Sequence, residues 1–126
     1  NAKIQHLRNR IKFINQSIDK FNSGKYDIIV SNPPYIKSKT IKYLDEDIRL
    51  FEPKMALDGG SDGLSQIRDV VKKSSNLIKR GGIFFLEIGF DQLYETKNLL
   101  KFHGFYVSNI IKDLGKINRC IISTKM

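Results

Sequence analysis

Asn32-Pro33-Pro34-Tyr35 stands directly behind the apolar run Tyr26-Asp27-Ile28-Ile29-Val30-Ser31. These residue types suit one task, gripping a planar NH2 group. An amide or aromatic amino nitrogen has its lone pair delocalised into the neighbouring π system, so it is a poor nucleophile. Two acceptors that take its two hydrogens fix its orientation and favour pyramidalisation toward an electrophile. The Asn32 side-chain oxygen and the Pro33 carbonyl are candidates for those acceptors. Tyr35 suits covering the substrate's flat face or walling its pocket. No general base is required before transfer, because the proton can leave afterwards; most of the rate gain would come from alignment against a methyl donor. The same four residues also describe an ordinary strand ending in a Pro-Pro turn, and alone they do not choose a substrate.

Such a grip needs a rigid support. Ile28, Ile29 and Val30 lack polar alternation, the pattern of a parallel strand buried on both faces. Pro33 and Pro34 donate no ladder hydrogen bond, so pairing must stop there, and Pro34 biases Pro33 away from helical geometry. The stiff turn therefore lies at the carboxyl end of a strand over Tyr26–Ser31, the edge where open α/β sheets bind ligands.

The other elements follow from periodicity and turn chemistry. Residues 1–9 read as the end of a helix and Ile11–Asn15 as a short strand. Asp19–Lys25 reads as a polar loop with an Asn-Ser-Gly turn. Residues 36–63 form a long irregular stretch with a short helix near Lys42–Leu50, and loops of that length usually carry function. The stripe Leu64, Ile67, Val70, Val71, Leu77, Ile78 marks an amphipathic helix closed by Lys79-Arg80-Gly81-Gly82. Ile83–Ile88 reads as a largely apolar strand, and Asp91–Phe102 as a helix with Asp91 as its cap and Gly104 as its stop. Phe105–Lys112 and Ile117–Thr124 read as an antiparallel pair around Leu114-Gly115-Lys116. This order predicts an α/β fold, the back half of a doubly wound sheet, mostly parallel with a C-terminal antiparallel hairpin. Gly59-Gly60 and Gly81-Gly82 do not follow strands that open into helices, so neither reads as a phosphate-binding or nucleoside-binding turn.

Composition bounds the rest. The 126 residues are 40% hydrophobic and read as one small domain. No stretch of about 18 apolar residues suggests a membrane span, and no signal-peptide pattern is read. The single Cys120 cannot form an internal disulfide, which favours a reducing compartment and a cytoplasmic location; its apolar setting reads as a buried, inert thiol. The first residue is Asn1, with a helical pattern already under way, so we expect the protein to start upstream. A net charge of +9 permits an anionic partner such as RNA or a ribosome. The alternative is coding bias: 16 of 22 basic residues are Lys, Ile occurs 18 times, and the basic residues are dispersed. His6 and His103 have no partner at ligand spacing, so no metal site is expected.

The sequence resembles the C-terminal part of a HemK-type release-factor glutamine methyltransferase, of the S-adenosylmethionine-dependent, class I Rossmann-like group. The resemblance runs over nearly the whole chain. It is carried by Ile29 to Ile36 around Asn-Pro-Pro-Tyr, by Phe51-Glu52-Pro53, and by Ala56-Leu57-Asp58-Gly59-Gly60 with Asp62-Gly63-Leu64. Gly81-Gly82, Leu86-Glu87-Ile88-Gly89, Lys112-Asp113-Leu114 and Arg119 complete it. Asn-Pro-Pro-Tyr is shared by several amino-group methyltransferases; the Phe-Glu-Pro and Leu-Asp-Gly-Gly-x-Asp-Gly-Leu blocks are more restricted to this group.

The resemblance implies methyl transfer to the side-chain amide of the Gln in the Gly-Gly-Gln tip of a peptide-chain release factor. Asn32 and Pro33 would bind the amide, Pro34 and Tyr35 would shape its pocket, and Asn32 would also lie near the methyl donor. The family's Asp and bulky residue beside the adenine are replaced by Ser17 and Ile18, so that contact should be weaker. The family's glycine-rich first-strand motif, the acidic residue after its second strand and its N-terminal helical domain are not in this sequence. Residues 1–126 thus read as one incomplete domain whose first two strands are absent. The Ile28–Val30 strand should carry an uncovered edge, and the chain alone should bind S-adenosylmethionine poorly and be inactive. Two alternatives stay open: an adenine or guanine amino methyltransferase with Tyr35 stacking on a flipped base, and a non-catalytic remnant that contacts a release factor or ribosome. Among lesser candidates, Glu87 could cap a helix or line the site, Asp58 and Asp62 could order the long loop, and Arg119 could pair with Asp113.

Overall fold

The computed structural model describes residues 8–126. Its centre is a four-stranded open sheet of β1 (Tyr26–Ser31), β2 (Ile78–Glu87), β3 (Phe105–Lys112) and β4 (Asn118–Lys125), in the order β1-β2-β4-β3. β1 and β2 pair in parallel, and β4 runs antiparallel to both β2 and β3. Three of the four strands therefore point the same way, and the reversed one closes the hairpin. The sheet is the expected back half of a doubly wound fold, with β1 at an open edge among the described residues.

Helices α3 (Ser65–Leu77) and α4 (Leu93–Phe102) cover one face of the sheet. The apolar stripe of α3 meets the inward residues of β2 and β4, and Ile67, Val71, Phe84, Leu86, Ile88, Leu100 and Ile121 are fully buried. Phe84 and Phe105 pack at a 42° tilt with centroids 5.5 Å apart, within the range of favourable aromatic pairs. The hairpin turns at Asp113, whose main chain bonds Ile117 and Lys116, with Lys116 at φ 62°. Among the described residues no helix is long and apolar enough to cross a membrane.

Several expectations are corrected. Burial of β1 on both faces is not observed. Ile29 packs on the core, but Ile28 is 56% and Val30 74% exposed, because α3 and α4 lie on the opposite face. Ile11–Asn15 is irregular rather than a strand, and Phe13 is 81% exposed; a short apolar run with no neighbouring strand among the described residues gains no ladder. Of the helix expected over residues 1–9, residues 1–7 lie outside the described part, and Arg8–Arg10 form one 3-10 turn. Lys79–Gly82 do not stand between a helix and a strand, since β2 begins at Ile78. The step from Tyr26 to Ile28 on β1 matches the longer step from Ile78 to Ile83 on β2, so the surplus residues bulge out around Gly81 at φ 79°. Asp91 does not cap α4: Gln92 holds that position, and Asp91 accepts from Lys37 at 2.8 Å.

The stretch 36–63 is more ordered than its composition suggests. It contains a 3-10 turn at Ile41–Tyr43 and two short helices, α1 (Glu46–Phe51) and α2 (Lys54–Leu57). It also folds back on itself: Ile36 N donates to Leu57 O at 3.0 Å, Gly59 N to Ile36 O at 2.8 Å and Ser38 N to Gly60 O at 2.9 Å. Asp58 braces this return, accepting from Ser38 Oγ at 2.6 Å and Gly60 N at 2.9 Å. Asp62 accepts from Leu64 N at 3.0 Å where α3 begins and pairs with Arg68, whose guanidinium holds its carboxyl down to about 2. The two aspartates thus order the loop, as expected.

One buried side chain joins these segments to the sheet. Gln92, 3% exposed, accepts from Gly89 N at 2.8 Å through Oε1, and donates through Nε2 to Tyr35 O at 3.0 Å and Gly63 O at 2.9 Å. The surrounding glycines leave no room for a side chain. A Cβ on Gly63 would lie 2.7 Å from both Gln92 Nε2 and Tyr35 O, and one on Gly59 would lie 2.7 Å from Gly63 O. Gln92→Leu would strip two buried and one part-buried main-chain groups of their partner, so we expect a stability loss of about 2–4 kcal/mol. The urea unfolding midpoint measures it; a loss below about 1 kcal/mol would show that the three groups find other partners.

Candidate active site

The exit of β1 places the four residues in different environments. Asn32 is exposed, Pro33 is buried, and Pro34 and Tyr35 are half-buried. Among the described residues, neither the Asn32 side chain nor the Pro33 carbonyl is engaged in a hydrogen bond. Two acceptors thus stand at the end of a strand, held by a proline pair and by the bond from Gln92 to Tyr35 O. Asn32 and Pro33 line a cleft of about 310 Å³ together with Tyr35, Ile36, Glu52, Ala56 and Leu57. Residues from the Asn-Pro-Pro-Tyr, Phe-Glu-Pro and Ala-Leu-Asp-Gly-Gly blocks meet there, although more than twenty positions separate Asn32 from Leu57. Pro34 supports the turn without lining the cleft.

A second, mostly apolar cleft of about 430 Å³ lies on another side of Tyr35 and Ile36, with Tyr43, Leu44, Phe90 and Arg119 among its walls. A larger hollow, of about 560 Å³, is a shallow depression around Lys54, Met55, Ser65 and Gln66, away from Asn32.

Tyr35 is tied to the sheet. Its hydroxyl donates to Glu87 Oε1 at 3.3 Å. Burial pushes its phenol up from the ordinary value, the Glu87 charge adds to the rise, and Arg119 opposes it. Glu87 therefore faces the site residue and caps no helix. Arg119 pairs with Asp113 through Nε at 3.2 Å and Nη2 at 3.1 Å, and its Nη1 donates to Ile88 O at 3.2 Å. The expected Arg119–Asp113 pair is present, and the contact to Ile88 was not foreseen.

Ser17 and Ile18 are exposed on the irregular segment before β1, neither lines the Asn32 cleft, and the Ser17 hydroxyl donates to Asp19. Cys120 is half-buried, and burial pushes its thiol up, which keeps it protonated and unreactive. His103 has its imidazole lowered by burial; His6 lies outside the described residues. No group of acidic, His and Cys side chains suited to a metal occurs among the described residues.

Sequence reasoning missed Gln92 and the Lys37–Asp91 ion pair at 2.8 Å. Gln92 sits between a charged residue and the start of a helix, where any polar side chain would be unremarkable. Its only sequence signal is Gly89, three residues earlier, whose amide it accepts.

The family model described as Eco57I restriction-modification methylase matches residues 1–103. The chain is 38% identical to the release factor glutamine methyltransferase of Caulobacter vibrioides, over 82% of this chain and 36% of that protein. It is 36% identical to the Agrobacterium fabrum protein of the same name, over 96% of this chain and 42% of that protein. An O-methyltransferase family protein from Burkholderia thailandensis has the same fold, with a TM-score of 0.60 at 12% identity over 98% of this chain and 38% of that one. The chain thus spans less than half the length of these relatives and has the fold of class I methyltransferases. The chain belongs to the methylase family described as Eco57I restriction-modification methylase, and among curated proteins it is similar to the C-terminal part of release factor glutamine methyltransferases.

Proposed function

We propose that this chain carries the acceptor-holding part of a methyltransferase that methylates the glutamine side-chain amide of a peptide-chain release factor. The observation that carries this reading is the pair of unengaged acceptors, Asn32 and the Pro33 carbonyl, at a cleft built from the Asn-Pro-Pro-Tyr and Phe-Glu-Pro blocks. The names of the relatives supply the acceptor, a release factor glutamine.

In this reading Asn32 Oδ1 and Pro33 O each accept one amide hydrogen, which turns the nitrogen lone pair out of conjugation and toward the methyl donor. Tyr35 walls the amide plane, and Pro34 keeps the turn rigid. S-adenosylmethionine supplies a methyl group on a cationic sulfonium. The site fits that group, because Asn32 and Glu52 line the cleft and, among the described residues, no cation does. Asn32 would hold the methyl-bearing end, with Ser17 and Ile18 beside the adenine. The new C–N bond would form as the donor's S–CH3 bond breaks to leave a neutral thioether, and the nitrogen then loses a proton to water.

A second reading, methylation of an amino group on RNA or DNA, is favoured by the family description and by the net charge of +9. The two differ in electrostatics. Nucleic-acid binding weakens steeply with salt, whereas the protein reading expects only weak oligonucleotide binding by the complete protein at physiological salt. Tight, steeply salt-dependent binding would favour the second reading.

Two further outcomes are expected. In the complete protein, Asn32→Ala should leave folding intact and cut turnover on the release factor about 30- to 1000-fold, roughly 2–4 kcal/mol for an acceptor lost at the reacting centre. Near-normal turnover would make Asn32 a turn residue only. Calorimetric titration of the 126-residue chain with S-adenosylmethionine should show no micromolar binding; micromolar affinity would mean that these residues build the donor pocket by themselves.

A further inference from the structure

Tyr35 is the shared wall of two clefts, the one opened by Asn32 and Pro33 and the apolar one bounded by Phe90 and Arg119. A tilt of its ring would change both. The ring lies against Gly89, where an added Cβ would come within 3.4 Å of Tyr35 Cδ2. Its far end is bonded to Glu87 Oε1 at 3.3 Å.

Glu87 is the last residue of β2 and pairs with Cys120 on β4, so its carboxylate stands on the sheet and not on a loop. The next residue is clasped in both directions: Ile88 N donates to Arg119 O at 2.9 Å, and Arg119 Nη1 donates to Ile88 O at 3.2 Å. Arg119 is itself held by Asp113 at 3.1 Å. A phenol bonded to a strand carboxylate cannot swing at χ1 without breaking that bond. Burial and the Glu87 charge both keep the phenol protonated, so it is a donor at neutral pH.

We propose that Glu87 is a positioning residue of the methyl-transfer site, tying the Tyr35 ring to the end of β2 and thereby fixing the wall against which the acceptor amide is aligned. The inference rests on the functional reading above and adds a residue to it. Alignment to within about 1 Å governs rates by factors of up to about 100, so a loosened wall lowers turnover more than donor binding.

The test uses the complete protein with a release factor and four variants: Tyr35→Phe, Glu87→Ala, Glu87→Gln and the Tyr35→Phe/Glu87→Ala double. Each of the first two should lower kcat about 10-fold while the Kd for S-adenosylmethionine stays unchanged. The double should lose no more than either single change, because both break one interaction. Glu87→Gln keeps an acceptor and should recover to within about threefold of wild type. Tyr35→Phe removes one hydroxyl, so it keeps the test decisive if Glu87→Ala folds poorly. A second readout needs no substrate: with tyrosine labelled at the phenol carbon, NMR should show Tyr35 ionising at lower pH in Glu87→Gln than in wild type. Losses that multiply to about 100-fold in the double, a change in KM alone, or an unmoved Tyr35 titration would overturn the inference. If wild type transfers no methyl to the release factor, the functional reading fails, and the Tyr35 titration alone then decides whether Glu87 holds the ring.

Discussion

Three stretches of chain distant in sequence are held together by the carboxamide of Gln92. An amide side chain offers an acceptor and two donors, and here all three are used, on Gly89 N, Tyr35 O and Gly63 O. Each partner is a main-chain group that is buried or partly buried, and leaving any of them unpaired is costly. The exit of β1, the start of α3 and the exit of β2 are therefore registered by one residue. The glycines at 59, 63 and 89 follow from this, because each lets the main chain approach more closely than a Cβ allows. The cleft at Asn32 inherits its shape from this arrangement, since Tyr35 and the return of the chain from Ile36 to Gly60 are fixed by it.

Around this knot the sheet is asymmetric. One face is packed by α3 and α4, and the other leaves Ile28 and Val30 in solvent among the described residues. Hydrophobic burial on the covered face supplies most of the stability, and β2, at the middle of the core, contributes Phe84, Leu86 and Ile88 to it. β1 depends on β2 along one side only. The residues that grip the proposed amide thus hang from a strand that is at the edge of the sheet among the described residues, and polar contacts hold its carboxyl end. Glu87 and Gln92 lie at the end of β2 and just beyond it, so the best-packed strand supports the least-packed one.

Much of this was legible in the sequence. The Tyr26–Ser31 strand, the amphipathic helix after Leu64, the second long helix and the terminal hairpin follow from periodicity and turn residues, within a few positions of their observed bounds. The Phe-Glu-Pro and Ala-Leu-Asp-Gly-Gly blocks were visible as motifs, but that they line one cleft with Asn32 emerged only from the structure. Long-range, non-periodic information was not legible. Periodicity placed Ile28 and Val30 in a buried strand, but exposure depends on what covers the sheet, which a local window does not contain. Asp91 had the chemistry of a cap, yet Lys37, far away in sequence, claims it. Gln92 carried no local signal beyond Gly89, because its other two partners, Tyr35 and Gly63, lie far away in sequence.

The most direct test is to offer the complete protein a release factor and a nucleic acid together, with S-adenosylmethionine carrying an isotope-labelled methyl group, and to locate the label by fragmentation and NMR. The account predicts label on the side-chain amide nitrogen of one glutamine in the release factor. Label on a nucleic-acid amino group, or on any other atom of the release factor, would contradict it.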